Sequence, residues 1–426
     1  MSYLQTILTF TGLCLFAPGV FATTPVSVQK INLPPVTRQT LPNGLQLVLM
    51  EYHRAPTLTL IAFARAGSAA DPPGKAGTAA LTAELLRRGT KKRTATQIAE
   101  EIDFLGGSLS TDADRDRVSI SMGVLSRDAD AALDLFSDVL RHSTFPPEEL
   151  ERVRQLHQAA LQSIGEDPGA LARRVAEETV FAGHPYGHLE TVSSLQAITR
   201  DDLLAFYRRF IVPSAITVVA VGDFKVPEMA EKLRGRFADW AASSGDMPMI
   251  PPVKAGPIRK ILIDKPDAVQ SHLRLIRTAF PRNSPDYFAA LIAEAILGGG
   301  FTSRLVEEVR IRRALTYGIS SGFRPELHGG SFAITTFTKV ETTRGLIETT
   351  VAVLRNAAAN GFAPEELRKV KGYLRGLFAI RMQTPEALAA ELAEIAFYHL
   401  PDNYLQTYLQ KLQSVTLAEA NRIARL

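Results

Sequence analysis

Apolar residues alternate with polar ones at Leu45, Leu47 and Leu49, directly after the turn formers Pro42-Asn43-Gly44. A second apolar run follows at Leu58 to Phe63, and together the two predict a β-hairpin. The period then lengthens. Residues 76–88 read as a helix ended by Gly89, and residues 96–105 as a second ended by Gly106-Gly107. Val118, Ile120 and Met122 return to alternation as a strand. Helices are predicted over 128–140, 147–164, 171–181 and 200–210, the second with Pro at its start and Glu in its first turn. A last strand runs from Ala215 to Gly222.

The pattern is then written again. Phe145-Pro-Pro-Glu-Glu-Leu150 returns as Phe362-Ala-Pro-Glu-Glu-Leu367, an offset of 362 − 145 = 217. Asp167-Pro168 matches Thr384-Pro385, and Leu195-Gln196 with Thr199 matches Leu412-Gln413 with Thr416, at the same offset. Earlier, Ala80-Leu-Thr-Ala-Glu84 matches Ala290-Leu-Ile-Ala-Glu294. A fixed offset of this kind implies two homologous domains, over 23–241 and 258–426, with helices at 364–381 and 385–399 in the second. Between them, 242–257 gathers Pro248, Pro251, Pro252 and Pro257 and reads as a semi-rigid connector. Strand runs followed by helix runs predict an α+β fold, each domain a mostly antiparallel sheet with helices on one face. By the offset, Leu426 lies opposite Arg209, so the second copy holds no counterpart of the strand at 215–222: either its sheet has a shorter edge or the sequence is truncated.

Length, 426 residues, is compatible with about two to four domains. The content of 46% hydrophobic and 22% charged residues is globular and excludes disordered and fibrous classes. A formal charge of +4 is scattered among acids, as in Glu148 to Arg154, without the basic stripe that nucleic-acid binding needs. Residues 1–22 read as a secretory signal: an apolar run at Ile7 to Phe16, then Pro18-Gly19, then Val20-Phe21-Ala22 before a cleavage point. Export to a periplasm or the exterior is the expectation, with no later transmembrane segment. The single cysteine, Cys14, lies inside this signal, so a chain starting near Thr23 would have no thiol chemistry.

One stretch suggests chemistry on spacing alone. Arg313 and Tyr317, four residues apart after Gly298-Gly299-Gly300, would share a face on a helical turn. A guanidinium and a phenol converging on one point can both donate to a developing oxyanion; a solvated arginine cluster beside a strand tyrosine is the alternative. His184 and His188 are four apart, but Pro185 and Gly187 forbid an aligning helix, and the remaining histidines (53, 142, 157, 272, 328 and 399) read as isolated. No G-x-S-x-G elbow is present, the glycine triplet lacks the Lys-Ser/Thr of a phosphate loop, and Ser320-Ser321 has no near base.

Leu41-Pro-Asn-Gly-Leu45, His184-Pro-Tyr-Gly187 and Gly298-Gly-Gly-Phe-Thr-Ser-Arg-Leu-Val-Glu-Glu-Val-Arg310, set in two homologous halves, resemble the pitrilysin (insulinase-type) zinc peptidases, the inverzincins. The resemblance covers nearly all of the chain after the signal. It implies a clamshell half and a metal motif H-x-x-E-H on the first helix of the first half. The matching positions here are Ala80, Ala83 and Glu84, and the later glutamate ligand's place is held by Ala160. Alanine supplies no lone pair, so the resemblance implies a chain that binds no zinc and is inactive alone. Glu84 by itself makes a poor transition-metal site, and its repeat counterpart Glu294 argues for a structural helix role.

The second half keeps what the family uses there. Arg313 and Tyr317 match the Arg and Tyr of the R-x-L-x-Y stretch that active members direct onto substrate. The implied protein is the non-zinc subunit of a heterodimer, supplying Arg313 and Tyr317 in trans to a homologous partner that holds Zn2+ and cleaves peptide or unfolded protein. Substrate in this family adds as a strand to a sheet edge. The alternative is a catalytically silent scaffold or peptide-binding assembly protein of the same fold.

Overall fold

A computed structural model describes residues 33–243 and 248–426; the signal segment lies outside them. The first half comprises β1 (Val36–Thr40), β2 (Gln46–Glu51), β3 (Thr57–Ala64), α1 (Thr78–Leu86), α2 (Ala95–Phe104), β4 (Ser108–Ala113), β5 (Val118–Leu125), α3 (Ala129–His142), α4 (Pro147–Ile164), α5 (Pro168–Val180), α6 (Val192–Ala197), α7 (Arg200–Phe210), β6 (Ile216–Gly222) and α8 (Val226–Phe237). The second comprises β7 (Gln270–Ala279), α9 (Tyr287–Leu297), a π-helical segment (Val306–Arg312), β8 (Ile319–Pro325), β9 (Gly330–Lys339), α10 (Thr343–Asn360), α11 (Pro364–Arg381), α12 (Pro385–Phe397), α13 (Tyr404–Ser414) and α14 (Leu417–Arg425). The fold is α+β, as the periodicities predict.

The hairpin is not the predicted one. The Asn43-Gly44 turn joins β1 to β2, with Gly44 in the left-handed region at φ 92°, where a Cβ would be strained. β2 and β3 do not pair. β6 inserts between them, parallel to β2 and antiparallel to β3, giving the order β1-β2-β6-β3-β5-β4. The physical reason is visible in composition: Leu47-Val48-Leu49-Met50 and Val218-Val219-Ala220-Val221 are continuously apolar, the mark of strands buried on both faces.

Both faces of this sheet are covered. Leu47, Leu49, Leu58, Leu60, Val218 and Ala220 point into a core shared with α1, α3 and α8 of the same half. Val48, Met50, Phe63, Val219 and Val221 point the other way, into a core built from Leu388, Leu392, Ile395 and Phe397 of α12 and from α9, α11 and α13. α12 therefore belongs to the second half by sequence and to the first sheet by packing. The exchange is mutual, because α5 of the first half packs on β7 of the second sheet, whose order is β7-β9-β8. The described residues form one compact unit.

The seam carries polar ties as well. Tyr52 donates its hydroxyl to the Gln383 carbonyl at 2.8 Å, and Arg65 donates to Ala396 at 3.0 Å. Elsewhere Asp116 accepts from the Tyr186 hydroxyl at 2.6 Å and from the Leu327 amide at 2.9 Å, while Arg115 bridges Glu177 and Glu326. The described part of the connector, 248–257, forms no helix or strand; Val253 donates to the His328 carbonyl at 2.8 Å.

Candidate functional site

α1 carries three of the four positions where the resemblance looks for metal donors. Ala83 is buried, while Ala80 and Glu84, one turn apart, are half-buried; Ala160 is exposed on the neighbouring α4. Ala80, Ala83 and Ala160 end in methyl groups. Glu84 is already engaged: its Oε1 accepts from Arg88 Nη2 at 2.5 Å and Arg87 Nη2 at 2.8 Å. Burial pushes the Glu84 carboxyl up, but the two guanidiniums outweigh it and hold the acid below its ordinary range. Nearby on α4, His157 Nδ1 lies 3.2 Å from Glu190 Oε2, and that hydrogen bond, with Glu84 adding to the field, raises the imidazole. Among the described residues, no three His, Cys, Asp or Glu side chains are grouped to hold an ion. The donors of a three-ligand zinc centre do not fit this helix pair.

Three histidines that read as isolated in sequence are paired. Besides His157, His53 sits between Asp223 (2.6 Å) and Glu51 (3.3 Å), and His142 lies 3.2 Å from Asp138. Sequence separation concealed Glu190 and Asp223 as partners of His157 and His53. His184 serves as a pin. Its Nδ1 accepts from the Tyr186 amide at 3.1 Å, which leaves Nε2 to donate to the Pro251 carbonyl at 2.7 Å. The His-Pro-Tyr-Gly stretch thus anchors the connector and, through Tyr186 and Asp116, the second half.

The glycine triplet has a packing role. The Gly298 carbonyl accepts from the Ser321 amide at 3.2 Å, and a Cβ on Gly298 would stand 2.5 Å from that nitrogen. A side chain here would push α9 off β8. Ser321 also donates to Glu294 Oε1 at 3.2 Å. Glu294 has no cation to match the arginines of Glu84, so burial raises its pKa to about 7. An acid raised in the folded state binds protons more tightly there than when unfolded, so stability falls as pH rises from the ordinary value of 4.5 to about 7. Glu294→Gln is expected to flatten that slope and to be about 2 kcal/mol more stable than the parent at pH 8, given about 1.4 kcal/mol per unit and partial solvation; urea melts at pH 5 and pH 8 check it.

Arg313 and Tyr317 do not share a helical turn. The π-helical segment ends at Arg312, Arg313 caps it, and Ala314 turns the chain at φ 51°. The Leu315 amide closes onto the Val309 carbonyl at 3.0 Å, and the Thr316 hydroxyl donates to Gly318. Leu315 packs against the small core of Leu305, Val309 and Ile334, and Tyr317 faces outward at 84% exposure. Arg313 is also exposed; its Nε donates to Glu308 at 2.8 Å, a contact that lowers the Glu308 pKa. One edge of the Arg313 fork is held and its terminal nitrogens remain for another acceptor.

Fold and motifs together define a class. Residues 47–189 match the family model for insulinase (peptidase family M16), and residues 197–374 match the peptidase M16 inactive domain. The chain belongs to the M16 peptidase family. An uncharacterized zinc protease of Mycobacterium leprae is 26% identical over 396 residues, 91% of this chain and 88% of the relative. A protein of Helicobacter pylori called a non-peptidase homolog is 25% identical over 366 residues, 85% of this chain and 84% of the relative. A crystal structure of a peptidase M16 inactive domain from Pseudomonas fluorescens superposes with TM-score 0.86 at 26% identity, covering 92% of this chain and 94% of that one. The periplasmic protease PqqL of Escherichia coli shares the fold with TM-score 0.76 at 16% identity; 96% of this chain covers 47% of it.

Proposed function

We propose that this chain is the non-metal-binding subunit of a heteromeric zinc metallopeptidase, presenting Arg313 and Tyr317 to peptide held by a homologous partner whose first half carries H-x-x-E-H. One contrast carries the reading. The first half has alanine where donors are needed, while the second half offers a phenol and a guanidinium to solvent with no site of their own to serve. A guanidinium and a phenol hydroxyl both donate hydrogen bonds, suited to binding a scissile carbonyl and the negative charge that develops on it. Metal chemistry belongs to the partner. The match of this chain to about half of a longer protease supports a clamshell of two such chains. The signal-like residues 1–22 support assembly in a periplasm or outside the cell, and Thr23 is the expected mature N-terminus.

A second reading, a silent scaffold of the same fold, is favoured by the Glu308 contact, which ties part of Arg313 within its own chain, and by the name of the Helicobacter relative. Purification from native cells separates the two. The isolated chain is expected to contain no stoichiometric zinc and to cleave no peptide. The recovered complex is expected to contain about one zinc per two chains, as a single three-ligand site requires, and to cleave unfolded substrates. A complex with zinc and no cleavage, or no homologous partner at all, supports the scaffold.

A further inference from the structure

Glu84 and Glu294 stand at equivalent places in the repeat, yet only the first has cations to face. Arg87 and Arg88 lie within one turn of Glu84; the offset of 294 − 84 = 210 puts Leu297 and Gly298 in those places. Other acids of the second half are matched: Glu307 with Arg312 at 3.2 Å, Glu308 with Arg313 at 2.8 Å, and Glu366 with Arg304 at 2.7 Å. The Glu294 carboxylate accepts one hydrogen bond, from the Ser321 hydroxyl at 3.2 Å. Among the described residues, no charged side chain of β8, α11, α13 or α14, the elements packed on α9, acts on it. A half-buried carboxylate without a cation lowers stability once it ionises. Local conflicts of this kind concentrate where a protein meets a ligand.

The approach to this carboxylate is apolar. Gly299 lays bare backbone against it: a Cβ there would stand 3.0 Å from each carboxylate oxygen. Beyond it, a Cβ on Gly300 would lie 4.0 Å from Tyr373 Cζ, and two aromatic side chains open to solvent, Tyr373 at 48% and Phe301 at 75% exposure. Phe301 already receives a guanidinium, with Arg310 5.4 Å from its centroid. An aliphatic stem laid along such rings, ending in a charged head at the acid, describes a lysine or arginine side chain. A metal ion is a poorer match, since one carboxylate and one hydroxyl supply too few donors.

We propose that Glu294 forms a subsite for a basic side chain of the bound peptide, with Tyr373 and Phe301 flanking its stem. The proposal rests on the reading that peptide passes over Arg313 and Tyr317. Four residues separate Tyr317 from Ser321, so their Cα atoms are at most about 14 Å apart. The subsite therefore selects a residue a few positions from the scissile bond. The chain carries a net charge of +4, and its overall field disfavours a basic peptide, so a preference for one has to come from a local acid.

The test measures binding to the isolated full chain, which requires neither zinc nor cleavage. The probe is an unfolded, fluorophore-labelled peptide with one lysine, set beside the same peptide with norleucine in its place. At pH 8, above the Glu294 pKa of about 7, the lysine peptide is expected to bind about tenfold tighter, on the scale of a hydrogen bond to a charged group. Glu294→Gln, expected to melt no lower than the parent, should abolish that difference. Tyr373→Ala, at a half-exposed ring, should weaken both peptides alike, because they share the stem. A bound cation favours the ionised acid, so calorimetry at pH 7 should show release of about half a proton with the lysine peptide and no release with norleucine. Equal affinity of the two peptides for the parent, a preference that survives Glu294→Gln, or no binding of either overturns the proposal. A preference lost in Glu294→Gln, in a chain whose recovered complex cleaves nothing, keeps the subsite and refutes the catalytic reading alone.

Discussion

Phe397→Ala is expected to destabilise the protein by about 4 kcal/mol, at the level of a large aromatic removed from a closed core, and to leave unfolding a single transition. Phe397 is fully buried at the end of α12. Its ring meets Phe63 of β3 edge-on at 5.5 Å, and the Arg117 guanidinium lies 4.8 Å from its centroid. Arg117 in turn pairs with Glu394 of α12 at 2.6 Å. These contacts join residues more than 270 positions apart in sequence, so truncation opens a cavity between the halves and removes the ring that the Arg117 guanidinium faces. The loss falls on both halves because each has lent a helix to the other's sheet. Urea unfolding followed by far-UV dichroism and by the fluorescence of Trp240 gives the measurement. Two separated transitions in the parent chain, or a loss below about 1.5 kcal/mol, the range of small core trims, would refute the interlocked description.

That interlock marks where sequence reading stops. Several helix positions were legible because termination and first-turn signals are local. Gly89 and Gly106-Gly107 follow α1 and α2, and Pro147 opens α4 with Glu148 and Glu149 in its first turn. The start of α5 at Pro168 and the helix α14 were not read. The repeat was legible because it is a copy. The placement of β6 was written in the continuous apolar run of Leu47 to Met50, but the alternation of Leu45, Leu47 and Leu49 drew the reading toward a one-faced hairpin. The destination of α12 had no local signal at all. An apolar helix advertises that it will be buried, and nothing in its periodicity names the sheet that buries it.

The site divides the same way. Missing donors are a matter of residue identity, and Ala80 and Ala83 are conclusive in any conformation. What fills the vacated place, Glu84 with Arg87 and Arg88 and His157 with Glu190, depends on spatial neighbours. The four-residue spacing of Arg313 and Tyr317 suggested one helical face, yet Ala314 in the left-handed region ends that geometry. Convergence of the two side chains therefore has to come from the turn between them and from what they bind, and that shifts the burden of proof to mutants in the assembled complex.

In that complex, Arg313→Ala and Tyr317→Phe are each expected to depress turnover by about 10² to 10³, the usual loss when one oxyanion donor is removed, with zinc content unchanged. Tyr317→Phe deletes a single hydroxyl from a side chain that is 84% exposed, so the fold has little to lose and the kinetic effect isolates the donor. Arg313→Ala also frees Glu308, whose carboxylate then sits without its 2.8 Å partner though Arg312 remains at 3.5 Å; a melt of the variant, expected within about 1 kcal/mol of the parent for an exposed pair, keeps stability and catalysis apart. A donor acting on the transition state lowers kcat and kcat/KM together, whereas a peptide-binding contact raises KM and spares kcat. If the two residues act on one oxyanion, the double variant loses less than the product of the single losses. Unchanged turnover in both single variants would remove the catalytic reading and leave the clamshell partner as a scaffold.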